Sequence, residues 1–363
     1  MGCISYVGID SHSYSQELRC YLGGKMDILV LGGTRFLGRH IVEAAREHGH
    51  KVTLFNRGVS NPELFPDLEK IHGNRAEDLD LFGSRKWDAV IDTSGYVPRV
   101  VRKSVMKLQN LADHYTFISS ISVYANPSQP NLTEESPLEK PPDGVESEDI
   151  EQYYGALKVL CEDEVTTGFG YSALIVRAGL IVGPHDPTDR FTYWPWRIDI
   201  GGDVLVPGQP GWKTQFIDAR DLADWIIRLI EKGQGGTFNA TGPEQPLPIE
   251  RLLEICEKVS GTDAGITWVS EDFLLKNNIQ PWMELPLWLP GESHQGLQSA
   301  SIEQALAQGL AFRSLESTVR DTLVWARSRP PEYQWRAGMP LDKEAELLHQ
   351  WHTRTEVSGQ VEE

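Results

Sequence analysis

The sequence predicts an α/β fold, a doubly wound parallel sheet carrying a smaller C-terminal lobe, and three observations predict it. Short apolar runs alternate with amphipathic stretches from Asp27 onward, the pattern of parallel strands joined by helical crossovers. A glycine-rich turn, Leu31-Gly-Gly-Thr-Arg-Phe-Leu-Gly38, separates the first apolar run from the first amphipathic stretch. The 363 residues also exceed what one hydrophobic core usually organises, so two lobes with a cleft between them are expected.

Taken in order, residues 1–25 read as an N-terminal extension, expected to be disordered. They lack the apolar core of a signal peptide, and Tyr6 stands where myristoylation wants Ser or Thr. Asp27 to Leu31 reads as a buried strand, Phe36 to His48 as a helix, and Lys51 to Phe55, after a His-Gly-His break, as a second strand. Further strands are expected at Ala89 to Ile91, Tyr115 to Ser119 and Ala173 to Val176, closing a first domain over residues 26–182. Residues 183–340 form the second lobe, with about 214–240 returning to the first sheet. Its opening segment, 183–216, is rich in Pro, Gly and Trp and reads as an irregular, loop-built pocket wall. Helices follow at Asp221 to Glu231 and Pro248 to Ser260, with short strands at Thr237 to Ala240 and Gly265 to Val269. Residues 341–363 supply a last helix, Asp342 to Trp351, and a tail expected to be disordered.

With 34 basic against 52 acidic residues the formal net charge is −18, which disfavours nucleic acid and anionic membranes as partners. Any anionic ligand therefore needs a local basic site. No stretch approaches the roughly 20 apolar residues of a membrane span. Cys3, Cys20, Cys161 and Cys256 fall at no zinc-like spacing and read as reduced thiols, which points to the cytoplasm and to no metal.

Gly32, Gly33 and Gly38, with Thr34, Arg35, Phe36 and Leu37 between them, lie where close backbone approach and helix N–H groups hold a pyrophosphate. At the end of the second strand, where a carboxylate would grip an NAD ribose, the chain has Asn56-Arg57. An arginine in place of the acid favours a 2′-phosphate, hence NADP over NAD. Tyr154 and Lys158, four apart in an amphipathic pattern from about Asp149 to Val165, share a helix face. A neighbouring ammonium lowers the pKa of a phenol, otherwise about 10, and makes it an acid–base group. Ser120, at a strand end, is placed to hold the oxygen that Tyr154 serves.

Together these stretches resemble the extended short-chain dehydrogenase/reductase superfamily, the NAD-dependent epimerase/dehydratase group, over roughly residues 26–330. The matching motifs are the glycine turn, Ser119-Ser-Ile-Ser-Val-Tyr124, Tyr154-Gly-Ala-Leu-Lys158, Arg177 to Pro184 and Gln215 to Ala223. The Gly-Gly-Thr-Arg-Phe form looks most like an atypical subgroup labelled variously as epimerases, reductases or RNA-binding proteins. The resemblance implies a Rossmann fold, with Ser120, Tyr154 and Lys158 catalytic, Thr93, Ser94 and Gly95 under the cofactor, and Ala178 and Gly179 beside the nicotinamide. It implies hydride transfer at a hydroxyl or ketone carbon of a sugar-like metabolite, with a non-sugar ketone or an RNA-associated role as alternatives, and admits a homodimer. Tyr96, Ser122, Arg190, Tyr193, Trp194 and Arg197 are assigned to the substrate, the aromatics for stacking and the cations for an acidic group. Ile121-Ser122 replace the Asp-Glu pair of sugar-nucleotide dehydratases, which argues against dehydration by that route. The Asn near Leu180 and the Arg near Thr214 that hold a substrate diphosphate in epimerases are also absent.

Overall fold

The structure, a computed structural model, describes residues 24–141 and 148–359, with side chains through residue 354. Most of the expected N-terminal extension, residues 1–23, the end of the expected tail, residues 360–363, and Cys3 and Cys20 lie outside the described residues.

The chain opens with β1 (Asp27–Leu31), α1 (Leu37–Glu47), β2 (Lys51–Asn56), β3 (Glu69–His72), β4 (Trp87–Asp92), α2 (Pro98–Leu108) and β5 (Ala112–Ser120). Next come α3 (Ile150–Phe169), β6 (Ala173–Ala178), β7 (Ile181–Val182), α4 (Tyr193–Ile200), β8 (Gly202–Pro207), β9 (Lys213–Thr214) and β10 (Ile217–Asp218). They are followed by α5 (Ala219–Glu231), β11 (Gly236–Ala240), β12 (Leu247–Pro248), α6 (Ile249–Ser260), β13 (Ala264–Val269) and α7 (Glu271–Lys276). The chain ends with α8 (Glu303–Ala307), α9 (Leu315–Arg327) and α10 (Leu341–Gly359).

Seven parallel strands form the main sheet in the order β11-β6-β5-β4-β1-β2-β3. Successive side chains of a strand point to opposite faces, and β1 shows the result: Ile28 and Val30 join the core under α1 and α5, while Leu29 and Leu31 join the core under α2 and α3. A strand buried on both faces needs an unbroken apolar run, which is why no polar residue interrupts Ile28 to Leu31. Strand order reverses between β1 and β4, so a crevice opens at their C-terminal ends, where α/β sheets bind ligands.

The second lobe has its own core, built on the parallel pair β8 and β13 with α4, α6, α7 and α10. Here the structure departs from the sequence reading. Residues 193–207, expected as irregular pocket wall, are a buried helix running straight into a buried strand. Pro195 lies in the first turn of α4, where a missing N–H costs no helical bond, so it marks a helix start rather than a loop. Strand β3 and helix α9 were not foreseen; β3 is a half-exposed edge strand, and α9 buries Val319, Leu323 and Ala326 at helical spacing.

Candidate functional site

The crevice at the β1–β4 switch point is a cleft of about 710 Å³. Its floor is the glycine turn. Gly32 sits at φ +115°, and a Cβ there would stand 2.4 Å from the Thr93 Oγ1. At Gly38 a Cβ would press within 2.9 Å of the Gly33 backbone nitrogen, so glycine lets α1 begin directly against the turn. Phe36, at φ 40°, precedes α1 and offers no side-chain cap, which leaves the helix N-terminus to face the cleft. The cleft thus has the backbone cradle that a dinucleotide pyrophosphate requires.

Thr34, Arg35, Phe36, Leu37, Asn56 and Arg57 line this end of the cleft. Asn56 is spent on structure: its Nδ2 donates to the Gly32 carbonyl at 3.0 Å and its Oδ1 accepts the Gly58 N–H at 2.9 Å. Arg35 and Arg57 are exposed and make no hydrogen bond or ion pair among the described residues. Thr93 and Ser94 both donate to the Leu31 carbonyl, at 3.0 and 3.3 Å, tying the end of β4 to β1. Ala178 and Gly179 close the far side.

Sequence reasoning missed the support beneath. Arg75 makes two 2.7 Å bonds to Asp92 and reaches Ser94 and Ser104, while the Tyr115 hydroxyl donates to Asp92 at 2.9 Å. Burial pushes the Asp92 carboxyl up, but the Arg75 guanidinium outweighs it and holds the acid ionised. Arg75 follows the unread edge strand β3, so no motif flagged it.

Ser120, Tyr154 and Lys158 converge at the other end of the cleft. Ser120 ends β5, and its Oγ accepts the Ser122 N–H at 3.1 Å while donating to the Ser122 hydroxyl at 3.1 Å. Helix α3, capped by Asp149, breaks its geometry at Tyr153 (φ −121°, ψ 28°), so Tyr154 stands at the start of a renewed helical run. One turn on, the buried Lys158 Nζ donates to the carbonyls of Gly95 at 2.8 Å and Ile118 at 2.6 Å and lies 4.1 Å from the Phe117 ring centroid. Burial lowers Lys158 to about 8. Burial also pushes the Tyr154 phenol up to about 12; the neighbouring Tyr96 phenol, which would repel a second phenolate, adds to this, and the Ser120 hydroxyl and the Arg190 charge oppose it. The ammonium that the sequence reading enlisted to lower the phenol is instead turned to two backbone carbonyls.

The residues assigned to the substrate divide. Tyr96 lines the cleft with its ring centroid 6.5 Å from that of Tyr154, and Ser122 bonds Ser120, whereas Arg190 is not among the residues that line it. Tyr193, Trp194 and Arg197 are not brought there. The first two are core residues of the second lobe, at 1% and 0% exposure, with the Trp194 Nε1 donating to the Pro286 carbonyl. Arg197 is buried against Glu344 at 2.6 Å, its remaining donors on the carbonyls of Gly201 and Asp203. On a helix, residues three and four apart share a face, and these three lie on the side of α4 that packs into the second lobe. Trp282, unmarked in the sequence reading, lies 5.4 Å from Arg190.

Among the described residues, His48, His50 and Glu231 bring three ligand-type atoms within 4.8 Å of one another, beside the N-terminal ends of β1 and β2. Hydrogen bonding accounts for the cluster. The His50 Nδ1 accepts the Met26 N–H at 3.3 Å, so its Nε2 carries the proton that meets Glu231 at 3.0 Å. His48 bridges Glu231 and Asp224, 3.0 Å from each.

A parallel sheet of this order, with a glycine-lined crevice at its switch point, defines a Rossmann-type nucleotide-binding protein. The chain belongs to the NAD dependent epimerase/dehydratase family, whose model matches residues 28–103 and 100–241. It is 46% identical over 275 residues to an isoflavone reductase homolog of Lupinus albus, covering 69% of this chain and 81% of that one. It is 26% identical over 259 residues to a chloroplast stem-loop binding protein of 41 kDa from Arabidopsis thaliana, a match spanning 64% of this chain and 63% of the length of that protein. Among solved structures, UDP-N-acetylglucosamine 4-epimerase from Bacillus cereus superposes with a TM-score of 0.63 at 17% identity, covering 86% of this chain and all of the other. UDP-glucuronic acid 4-epimerase from Bacillus cereus, solved with NAD, gives 0.61 at 17% identity, covering 83% and 99%. At such identities the likeness is one of fold. No helix among the described residues is long and apolar enough to cross a membrane.

Proposed function

We propose that the chain is an NADP-linked oxidoreductase or epimerase acting at a hydroxyl-bearing carbon of a sugar or sugar-like metabolite in the cytoplasm. The convergence of Ser120, Tyr154 and Lys158 on one end of a cleft whose other end is a pyrophosphate cradle carries the reading. Gly32, Gly33 and Gly38 with the α1 N-terminus would hold the dinucleotide, Thr93, Ser94, Ala178 and Gly179 would flank it, and Arg35 and Arg57 would meet its phosphates. A bound nicotinamide supplies the hydride donor or acceptor.

The residues of the chain do the rest. The Ser120 hydroxyl holds the substrate oxygen, and the Tyr154 phenol gives that oxygen a proton as the carbonyl is reduced or takes it back in the reverse direction. Tyr154, raised to about 12, is fully protonated at neutral pH and ready as the acid. Lys158, fixed one helical turn away on the carbonyls of Gly95 and Ile118, lines the same cleft and would meet the bound cofactor. The isoflavone reductase homolog among its relatives supports net reduction as a second reading, distinguished by stoichiometric consumption of NADPH.

The test is Tyr154→Phe. Turnover in a screen of sugars, sugar nucleotides and aryl ketones with both cofactors should drop by roughly 10²–10⁴-fold, the usual worth of acid–base help, while NADPH affinity and Tm stay at wild-type values. Undiminished turnover would remove Tyr154 from the chemistry.

A further inference from the structure

We propose that a pocket on the second lobe, separate from the nucleotide cleft, binds an organic ammonium ion whose nitrogen carries alkyl groups rather than hydrogens. The inference is independent of the proposed function.

Three parts of the chain build this pocket of about 640 Å³, which shares no lining residue with the cleft. The first is the turn that leaves β8. It is held by the Gly208 N–H on the Val269 carbonyl at 2.9 Å and by the Trp212 N–H on the Gln209 carbonyl at 3.1 Å, and it brings Trp212 to the pocket. The second is the junction of β13, which supplies Trp268, with α7, which opens on Glu271. The third is α10, which supplies Trp351. Glycine at position 208, at φ +75°, leaves the space between them. A Cβ there would stand 3.2 Å from the Trp212 ring and 3.9 Å from the Glu271 Oε1, so indole and carboxylate share one floor.

The three indoles are half-buried and held in place from outside the pocket. The Trp212 Nε1 donates to the Gln298 Oε1 at 2.7 Å, and the Phe273 ring meets Trp351 edge-on at 5.1 Å between centroids. Arg354, which does not line the pocket, lies 4.2 Å from the Trp351 centroid, so this ring already takes one cation against it.

Charge and hydrogen bonding together select the ligand. Among the described residues Glu271 is the one ionisable side chain that lines the pocket, on a chain whose net charge is −18. A carboxylate set among electron-rich indole faces is complementary to a positive charge and repels an anion. Acceptors are nevertheless scarce. The Glu271 Oε1 already receives the Trp288 Nε1–H at 3.0 Å and its Oε2 the Gly291 N–H at 3.3 Å, while the Ser270 hydroxyl caps α7 by accepting the Phe273 N–H at 3.4 Å. A primary ammonium has three donors to satisfy, and a sugar has several hydroxyls that must exchange water for protein partners. An ammonium clothed in methyl groups needs no acceptor and gains from the indole faces and the carboxylate charge alone.

The experiment uses the full chain saturated with NADP, so that the nucleotide cleft is occupied. Choline, its uncharged carbon isostere dimethylbutanol, and methyl glucoside are titrated by calorimetry at fixed ionic strength. Choline should bind, and dimethylbutanol at least about tenfold more weakly, because the two differ in charge and hardly in shape. Glu271→Gln and Trp351→Leu should each weaken choline by about tenfold, with an unchanged NADP affinity showing that the variant is folded. If one of the two does not fold, the other decides. No choline binding, equal binding of dimethylbutanol, or tighter binding of methyl glucoside overturns the ammonium site. So does an unaltered choline affinity in either variant that folds.

Discussion

Arg190 and Arg197 stand in one proline- and tryptophan-rich segment, yet their guanidinium groups meet opposite fates. In the core of the second lobe every donor of Arg197 is met by protein: Glu344 and two backbone carbonyls. At the cleft, Arg35 and Arg57 keep donors that no described residue answers, and Arg190 has a buried Nε without a hydrogen-bond partner. The difference teaches that a cation in a pocket-like sequence carries no functional meaning until its partners are known. A closed cation is part of the fold, and an open one beside a cleft is available to a ligand.

The sharpest way to break that contrast is Arg197→Met. It strips the buried Glu344 carboxylate of its counter-charge, and losing one member of a buried pair costs about 3–5 kcal/mol. Urea denaturation should show that loss, while NADP affinity measured below the transition stays unchanged. Arg57→Ala, in the open region, should move stability by no more than about 0.5 kcal/mol. Equal effects would erase the distinction between the two regions.

A second closed polar group tests the same idea through pH. His114 lies buried at the other end of β5, with its Nε2 donating to the Gln234 carbonyl at 3.2 Å and its Nδ1 facing the Thr116 hydroxyl. Burial lowers its pKa from 6.5 to about 4, so the unfolded chain binds the proton more readily than the folded one. Its contribution is therefore fully present above pH 6.5 and is lost as pH falls toward 4, by about 3 kcal/mol in all. His50 and His185 are lowered as well, so the informative quantity is the difference between chains. His114→Gln should lose about 2–3 kcal/mol less than wild type between pH 7 and 4.5 in equilibrium denaturation. Parallel curves would show that His114 is more open than its surroundings indicate.

What the sequence made legible follows the same division. Residues whose identity is forced by backbone geometry were readable: Gly32 and Gly38 fill positions that admit no Cβ, and β1 is an unbroken apolar run because both its faces are covered. Tyr154 and Lys158 were placed together because four residues are one helical turn. Side-chain destinations were not readable. Tyr193, Trp194 and Arg197 share their composition with a pocket wall, and only the inward face of α4 decides that they are core. Arg75 reaches the site from the turn after an edge strand, where no periodicity announces it.

The smallest effect belongs to the open region. Arg57 follows β2 on the cleft rim, exposed and without a hydrogen bond or ion pair among the described residues, next to an Asn56 whose amide is fixed to the Gly32 carbonyl and the Gly58 N–H. Because Asn56 cannot supply the carboxylate that would grip a ribose hydroxyl pair, the proposed NADP preference assigns discrimination at this end to the charge of Arg57 against a 2′-phosphate. A solvent-exposed charge is screened, so its worth is limited: removing it should shift the ratio of NADP to NAD affinity by about tenfold, or ~1.4 kcal/mol. Titrating both cofactors against wild type and Arg57→Ala at two salt concentrations measures this directly. The preference should shrink with salt in the wild type and hardly respond to salt in the variant. An unchanged ratio would move the selection to Arg35, the other open cation on the same rim, and Arg35→Ala would then carry the salt-dependent loss.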